Sequence, residues 1–206
     1  RWHGNGLENH SHRYTGMMLI NPFFGAGIER WFKFDGNLLN SGSLACTATL
    51  VSGSVSYSSS NANTGQSITP NSPNITTSPL YALGTDFYVE FYATWTDDGI
   101  FNTVISSTTN GFDISKTSWL GGRIQVQVGG SERLRSVAGY ADGVKRKFTI
   151  TFISGVISLY VNDVLTDTGT TTVTNFDINK SVIRLLGGIG GGAQSGYYDD
   201  LIIQRN

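Results

Sequence analysis

The chain has 206 residues, with 14 Lys and Arg against 15 Asp and Glu, so its formal net charge is −1. This balance lacks the clustered excess of Lys and Arg that duplex DNA or an anionic membrane requires, and we expect no nucleic-acid partner. No run of about 18 apolar residues is present, which excludes a membrane-spanning helix and predicts no membrane insertion. Hydrophobic residues make up 39% of the chain, enough for a buried core without disulfides.

The single cysteine, Cys46, excludes an intrachain disulfide and is predicted to act as a small core residue. The chain begins at Arg1 rather than Met, which indicates a fragment or a processed product.

The first 28 residues differ from the rest of the chain. All three histidines lie there, and residues 17–27 form an apolar run interrupted by Pro22 and by glycines. Proline and glycine disfavour helix interiors by roughly 3 and 1 kcal/mol, so this run is not expected to form a long helix. We therefore interpret residues 1–28 as an extended arm that serves oligomerisation or anchoring.

From residue 29 onward the pattern is that of strands and turns. Residues 87–95 alternate between apolar odd positions and polar or amphipathic even positions, which is typical of a half-buried strand. Residues 52–79, rich in Ser, Asn, Thr and Pro, predict a weak strand at 54–58 and then a long surface loop. No helix of ten residues is expected, and residues 29–206 therefore predict an all-β, two-sheet antiparallel jelly-roll sandwich. Further strands are predicted at 123–128, 148–152, 157–161, 182–186 and 198–203.

Three short motifs resemble those of a known family. Residues 31–42 (WFKFDGNLLNSG) are similar to the opening strand and turn of laminin-G-like domains, which belong to the concanavalin A-like lectin/glucanase superfamily. Residues 159–163 (LYVND) resemble the Leu-Tyr-Val-Asn-Gly hairpin of the family, with Asp163 where glycine is usual. Residues 198–203 (YDDLII) resemble its closing strand. The resemblance implies a two-sheet jelly roll that brings its terminal strands together and recognises glycans or proteins.

Several relatives in this superfamily bind calcium, so the acids of these motifs are candidate ligands. Asp35, Asp199 and Asp200 are the residues that the resemblance nominates, together with loop carbonyls. The alternative is that these carboxylates only accept hydrogen bonds from turn amides, with Gly36 taking a positive φ.

The arm carries a second resemblance, to bacteriophage tail-fibre proteins. His10 and His12 form a His-x-His pair, and residues i and i+2 of an extended strand point the same way. Three parallel chains would then direct six imidazoles at one axial transition metal, which predicts a homotrimer. A tag remnant or an ordinary polar arm would give the same short pattern.

Catalysis is not expected. None of the four glutamates, Glu8, Glu29, Glu90 and Glu132, has a carboxylate two residues away, as the glucanases of this superfamily have. A carboxylate pair contributed by separate strands stays open, with Glu90 as one member. A Ser-His-Asp arrangement would have to use the arm, because the sequence after residue 12 contains no histidine.

The candidates for binding are aromatic, amide and arginine side chains on the strands. Sugars bind by aromatic stacking combined with planar hydrogen-bonding groups, and arginine forks also suit acidic polysaccharides. We expect such groups to form one polar, aromatic sheet face, although an ordinary solvated face would have a similar composition. The candidate residues are Tyr88, Glu90, Tyr92, Trp119, Arg123, Gln125, Gln127, Arg133, Arg135 and Tyr160.

These observations lead to one preferred hypothesis and two alternatives. The preferred one is a non-catalytic, trimeric recognition module of a phage tail fibre or similar virion appendage that binds a bacterial surface polysaccharide. Its location would be the virion surface or the extracellular space. The first alternative is a structural capsid or tail decoration protein that binds other virion proteins. The second is a glycoside hydrolase.

Overall fold

The computed structural model describes residues 28–63, 65–78, 83–107, 112–173, 183–186 and 196–205. Within these ranges the chain forms thirteen strands and no helix, so no described helix is long and apolar enough to cross a membrane. The predicted arm up to residue 27, with His10 and His12, lies outside the described residues. The strands are β1 Arg30–Phe32, β2 Thr47–Ser58, β3 Ser67–Ser78, β4 Phe87–Thr94, β5 Asn102–Ser107, β6 Asp113–Lys116, β7 Arg123–Val128, β8 Ser131–Gly139, β9 Arg146–Ile153, β10 Val156–Val161, β11 Val164–Thr170, β12 Ile183–Leu185 and β13 Tyr197–Arg205.

The strands form one antiparallel path that folds over itself into two layers. The first layer, sheet I, has the order β11-β10-β9-β4-β13, with β1 also paired to β13. The second layer, sheet II, has the order β12-β5-β6-β7-β8. Strand β3 joins them, because Ile68 pairs with Tyr198 of β13 and Ile75 pairs with Leu185 of β12. The predicted all-β sandwich is confirmed, as is the pairing of the first and last strands.

The core lies between the layers and is rich in aromatic rings. The odd positions of β4 point inward as predicted, and Phe87 stacks on Phe152 of β9 with ring centroids 4.4 Å apart. Trp95 is also buried and donates its indole N–H to the Tyr198 hydroxyl at 2.9 Å. Each large apolar side chain buried in this way contributes about 1.5–3 kcal/mol, so this aromatic layer fixes which face of each strand points outward.

The predicted weak strand at 54–58 lies within β2, whereas the long loop predicted after it contains β3, so the two form a hairpin of twelve-residue strands. The prediction was wrong because Pro70 and Pro73 were taken as evidence against a strand. Both prolines lie between Ile68, where β3 pairs with sheet I, and Ile75, where it pairs with sheet II. On that side the missing N–H groups are not needed, and proline is tolerated in such positions.

Two-residue turns set the register of the outer strands. Ser154 and Gly155 join β9 to β10, and Asn162 and Asp163 join β10 to β11, all with positive φ. Paired positive φ values are the geometry of the primed turns that match the right-handed twist of a hairpin. Asp163 occupies this conformation with φ 67°, at the position where the resembling family has glycine.

At one side of the sandwich, β11 of sheet I lies directly against β8 of sheet II. A Cβ added to Gly169 would lie 2.0 Å from the carbonyl oxygen of Arg133, so only glycine permits this approach. The backbone N–H of Val137 in β8 also donates to Asp167 of β11 at 3.1 Å. These contacts fix the edge of sheet II that carries Arg133.

Candidate functional site

The ten predicted binding residues do not form one surface. Tyr88, Glu90 and Tyr92 lie on β4 and Tyr160 lies on β10, so these four belong to sheet I. The residues of β7 and β8 belong to sheet II, and the aromatic core separates the two layers. The single face expected from the sequence is therefore wrong, because side-chain parity shows the two faces of a strand but not the layer to which it belongs. The sheet II residues are Arg123, Gln125, Gln127, Arg133 and Arg135.

On sheet I, Tyr88 is covered rather than exposed. It is 8% exposed and packs with Ile202, and the partly buried Ile28 and Trp31 contact the same small cluster. This burial raises the pKa of Tyr88 to about 12, with the charge of Glu90 adding to the effect. The expectation that Tyr88 lies on a wet face is corrected, because Ile28, Trp31 and Ile202 form a second small core with it.

Glu90 occupies the middle of the same face and already has partners. Its Oε2 accepts a hydrogen bond from the Thr149 hydroxyl at 3.0 Å and lies 3.9 Å from Lys147 Nζ. Burial raises the pKa of the Glu90 carboxyl, and Lys147 and Thr149 oppose that shift. Lys147 also pairs with Asp163, so Glu90 belongs to a short ladder of ion pairs across β4, β9 and the β10–β11 turn.

Asp199 and Asp200 form a bulge in β13 that holds the turn between β2 and β3. The backbone N–H of Asn63 donates to Asp199, and the Asn63 side-chain amide donates to Asp200 Oδ2 at 2.9 Å. The indole N–H of Trp31 donates to Asp200 Oδ1 at 2.8 Å. These bonds stabilise Asp200 at φ 46°, a conformation that non-glycine residues seldom adopt.

Asp35, the third calcium candidate, also accepts a backbone hydrogen bond. Its Oδ1 accepts the N–H of Gln66 at 2.8 Å, and the adjacent Gly36 has φ 74° as predicted. Within the described ranges, no three or more His, Cys, Asp or Glu side chains come together as a metal site would require. All three acids thus act as hydrogen-bond acceptors, and calcium binding stays a prediction.

Adjacent polar side chains cover the outer side of β6, β7 and β8 in sheet II, and this surface is here called the polar face. On it Gln125 of β7 lies between Ser115 of β6 and Arg135 of β8. In the next row Gln127 lies between Asp113 and Glu132. The polar face is defined by Asp113, Ser115, Arg123, Gln125, Gln127, Glu132, Arg133 and Arg135.

One corner of the polar face is already internally paired. The Gln125 side-chain amide donates to Glu132 Oε2 at 2.6 Å, and the Arg135 guanidinium forms an ion pair with the same carboxylate. These two contacts hold Gln125 and Arg135 in fixed orientations, although an exposed pair of this kind contributes at most about 1 kcal/mol to stability.

The rest of the polar face contains buried polar atoms without partners. Arg123 Nε and Arg133 Nε are buried without a hydrogen-bond partner, whereas Asp113 and Ser115 lie within reach of each other. Burial raises the pKa of Asp113 to about 6, while the nearby hydroxyls of Ser115 and Thr103 oppose the shift. Native proteins leave few buried polar atoms unpaired. Asn74 Oδ1 and Thr94 Oγ1 are also unpaired, so what distinguishes the two arginines is that they carry a charge.

Trp119 lies at the end of this face, in the turn between β6 and β7. Its side chain is 48% exposed. The Thr117 hydroxyl donates to the Trp119 carbonyl oxygen at 2.8 Å and accepts the N–H of Arg123 at 3.1 Å. The turn is therefore hydrogen-bonded to the start of β7, and it carries an indole that is open to solvent.

Sequence reasoning missed Asp113, Ser115 and Glu132. Strand β6 has only four residues, too few for alternation to stand out, and Glu132 lies two residues after the Gly129-Gly130 turn. The detectable signal was the spacing of Asp113 and Ser115, which alternate with inward Ile114 just before β7.

Comparisons with known proteins identify the fold. No protein-family profile and no curated protein sequence matches the chain. Among solved structures, domain 4 of AbnA, a GH43 extracellular arabinanase from Geobacillus stearothermophilus in complex with arabinotriose, is similar with a TM-score of 0.68 and 17% identity. That match covers 87% of this chain and 92% of the other.

Two toxin structures share the same fold. The binding domain of Paraclostridial Mosquitocidal Protein 1 has a TM-score of 0.68 and 16% identity, covering 87% of this chain and 49% of that one. The binding domain of Botulinum Neurotoxin DC in complex with SialylT has a TM-score of 0.63 and 16% identity, covering 87% and 48%. The chain spans about half the length of both. At these identities the likeness concerns architecture, and the chain is a β-sandwich of the type found in these binding domains.

Proposed function

We propose that this domain is a non-catalytic glycan-binding module and that the polar face of sheet II, with Trp119 at its end, is the binding surface. The observation that carries the proposal is the set of outward polar side chains that stay partly accessible, Arg123, Gln127 and Arg133, together with the exposed Trp119. Sugar hydroxyls both donate and accept hydrogen bonds, so one oligosaccharide can pair with the amide and the guanidinium groups of these side chains.

The composition of the face supports a sugar over a protein partner. Its central side chains are amides, acids and arginines, whereas the core of a protein interface is depleted of charged residues. Two of the structures with the same fold have ligands named in their descriptions, arabinotriose and SialylT. They support the proposal by analogy of fold.

Sheet I offers a weaker surface for the same role. Tyr88 is buried and Glu90 is bonded to Thr149, which leaves Tyr92 and Tyr160 as its accessible aromatic candidates. Glu90 is also the acid that the hydrolase alternative requires, and its ladder of ion pairs with Lys147 and Asp163 suits a structural role. We therefore propose binding without cleavage.

The test is a glycan array that includes arabinan oligosaccharides, sialylated oligosaccharides and bacterial surface polysaccharides. We expect binding to at least one class, weakened about fivefold by Gln127→Ala, because a neutral hydrogen bond contributes about 0.5–1.5 kcal/mol. Trp119→Ala should weaken binding by a similar or larger factor if the indole stacks on a sugar.

The matched controls are Tyr92→Ala and Tyr160→Ala, which alter the outer side of sheet I and leave sheet II intact. Their affinities should equal that of the wild type. Binding that is lost in the tyrosine variants and kept in Gln127→Ala would place the site on sheet I, and an array without any bound glycan would contradict the function itself.

We also propose the biological setting indicated by the arm, namely a trimeric phage tail fibre or similar virion appendage acting at the virion surface. The support is the sequence resemblance at His10 and His12. Three linked sites would raise avidity by a factor of about 10²–10⁴ without new contacts. Bacterial surface polysaccharide would then be the ligand, and other virion proteins would hold the arm.

Light scattering combined with elemental analysis tests this setting. A particle of three 22.3 kDa chains with one transition metal per particle is the expected result for the full chain. His10→Ala with His12→Ala should remove the metal. A metal-free monomer of the unaltered chain would contradict the tail-fibre assignment and leave the β-sandwich as an independent module.

A further inference from the structure

We propose that the glycan bound by the polar face is anionic, a polysaccharide that carries carboxylate groups, and that Arg123 and Arg133 hold those groups. This inference rests on the proposed glycan-binding function and specifies the class of sugar.

The first argument comes from the partners of the arginines. Arg135 pairs with Glu132, Arg146 pairs with Asp142, and Arg205 pairs with Glu29. Arg123 and Arg133 differ, because in the part of the chain that the structure describes neither guanidinium has a carboxylate within ion-pair distance or a hydrogen-bonded side-chain partner. The Nε atoms of both are buried and unsatisfied.

Each of these guanidinium groups has a buried, unpaired Nε, and because the side chain as a whole is only partly buried, a ligand can reach its outer N–H groups. Burial removes water from the N–H group without replacing the hydrogen bond, at a cost that native proteins seldom accept. The guanidinium fork fits the two oxygens of a carboxylate, and this bidentate geometry gives both strength and orientation. A carboxylated sugar therefore matches these two arginines better than a neutral one.

The charge balance of the face points the same way. Arg135 and Glu132 neutralise each other, so Arg123 and Arg133 remain against the single carboxyl of Asp113. Burial holds the pKa of that carboxyl at about 6, which reduces its negative charge in mildly acidic solution. Lys116 of β6 points inward and is 1% exposed, so it does not contribute to the face. A locally positive face thus stands on a chain whose net charge is −1.

The spacing of the two arginines favours an extended ligand. Gln127 pairs with Glu132 and Gln125 with Arg135, so Arg133 lies beside the far end of β7 from Arg123. From strand geometry their Cα atoms are roughly 12 Å apart. Gln125 lies between them on the same side of β7, and Gln127 lies at the level of Arg133, where its partly exposed amide can bond a sugar hydroxyl.

The experiment compares two probes with the same sugar backbone, polygalacturonate oligosaccharides and their methyl esters. Esterification removes the negative charge and leaves the hydroxyls. We expect the full chain to bind the acid at least about tenfold more tightly than the ester, because hydrogen bonds to charged groups are about twice as strong as neutral ones. Sialyllactose against lactose provides the same comparison for a second carboxylated sugar.

The variants are Arg123→Ala, Arg133→Ala and the charge-conserving Arg133→Lys. Each alanine variant should reduce affinity for the acidic probe about tenfold and bring it close to that for the ester. Arg133→Lys should recover only part of the loss, because an ammonium group lacks the bidentate fork. Lys33→Ala is the matched control. Lys33 directly follows β1 of sheet I, so this variant removes one positive charge away from the polar face and should leave the affinities for the acid and the ester unchanged.

The possible outcomes distinguish the anionic-glycan inference from the proposed glycan-binding function on which it rests. Equal binding of acid and ester, unaffected by the arginine variants, would overturn the anionic-glycan inference while glycan binding by the polar face stands. A loss of affinity in Lys33→Ala equal to that in Arg133→Ala would also overturn it. The affinity for the acidic probe would then depend on the overall positive charge of the chain and not on these two arginines. Failure to bind any glycan on the array would overturn both.

Discussion

Asp98→Asn is expected to destabilise the domain by about 3 kcal/mol, since it leaves a buried ammonium group without its counter-charge. Lys116 is 1% exposed and its Nζ lies 3.0 Å from Asp98 Oδ1, with the Thr96 carbonyl oxygen at 3.4 Å. Asparagine keeps an oxygen that can accept the N–H of Ile100, so the local turn is conserved and only the charge is lost. The free energy of unfolding in urea measures the effect.

Lys116→Met is the informative partner of this variant. It removes the buried charge, keeps most of the volume, and leaves Asp98 with access to water because its side chain is 22% exposed. We therefore expect Lys116→Met to cost less than Asp98→Asn, and the double variant to be close to Lys116→Met alone. Asp97→Asn, at the exposed neighbouring position, should change stability by less than about 0.5 kcal/mol. An Asp98→Asn protein as stable as the wild type would show that Lys116 does not depend on this carboxylate.

The second large effect concerns Asp113 and the pH dependence of stability. Its pKa in the folded chain is about 6, against an ordinary value of 3.8, because it is buried on the polar face. The folded state then holds this proton more tightly than the unfolded state does. This tighter binding adds to the free energy of unfolding. The added stability is fully present below about pH 4 and is lost as pH rises through 6. A shift of about two units corresponds to about 3 kcal/mol.

Asp113→Asn tests this directly because asparagine cannot ionise and has nearly the same shape. The difference in unfolding free energy between variant and wild type should be small near pH 4 and should increase in favour of the variant up to about pH 7.5. Arg146 lowers the pKa of Asp142 to about 2, so protonation of Asp142 at low pH destabilises the fold. This effect is the same in the variant and the wild type, and it cancels in the difference between them. A difference that is constant with pH would show that Asp113 titrates normally.

Much of the fold could be predicted from local patterns. The alternation of residues 87–95 identified β4 and its inward face, and the Ser154-Gly155 and Asn162-Asp163 turns identified the hairpins around β10. These features succeed because side-chain parity and turn conformation depend on neighbouring residues only. The pairing of β1 with β13 came from the family resemblance, since no local pattern specifies which distant strands meet.

The candidate site was predicted only in part. Gln125 and Gln127 were correctly placed on one side of β7, yet Tyr88 and Tyr92 were assigned to the same surface although they lie in the other layer. Which strands share a layer is decided by non-local pairing, chiefly the passage of β3 from β13 to β12. Because Pro70 and Pro73 favoured a loop over a strand, β3 and its pairing with both layers were not predicted. Asp113 and Ser115 were missed because their strand is too short to show a period.

The two layers of the sandwich differ in their polar groups. Sheet I holds the terminal strands, the hydrogen-bonded Asp199-Asp200 bulge and the ion pairs around Glu90. The outer side of sheet II carries Arg123 and Arg133, which have no ion-pair partner among the described residues, with an exposed indole at one end. The proposed binding surface rests on these two unpaired charges and on the amide side chains beside them.

The measurement that tests this account most directly is backbone amide NMR during titration with whichever glycan the array identifies. The largest chemical-shift changes are predicted on β6, β7 and β8 and in the turn around Trp119, with β4 and β10 unaffected. Shifts concentrated on β4 and β10 around Tyr92 and Tyr160, with β7 unchanged, would contradict the assignment of the polar face as the binding surface.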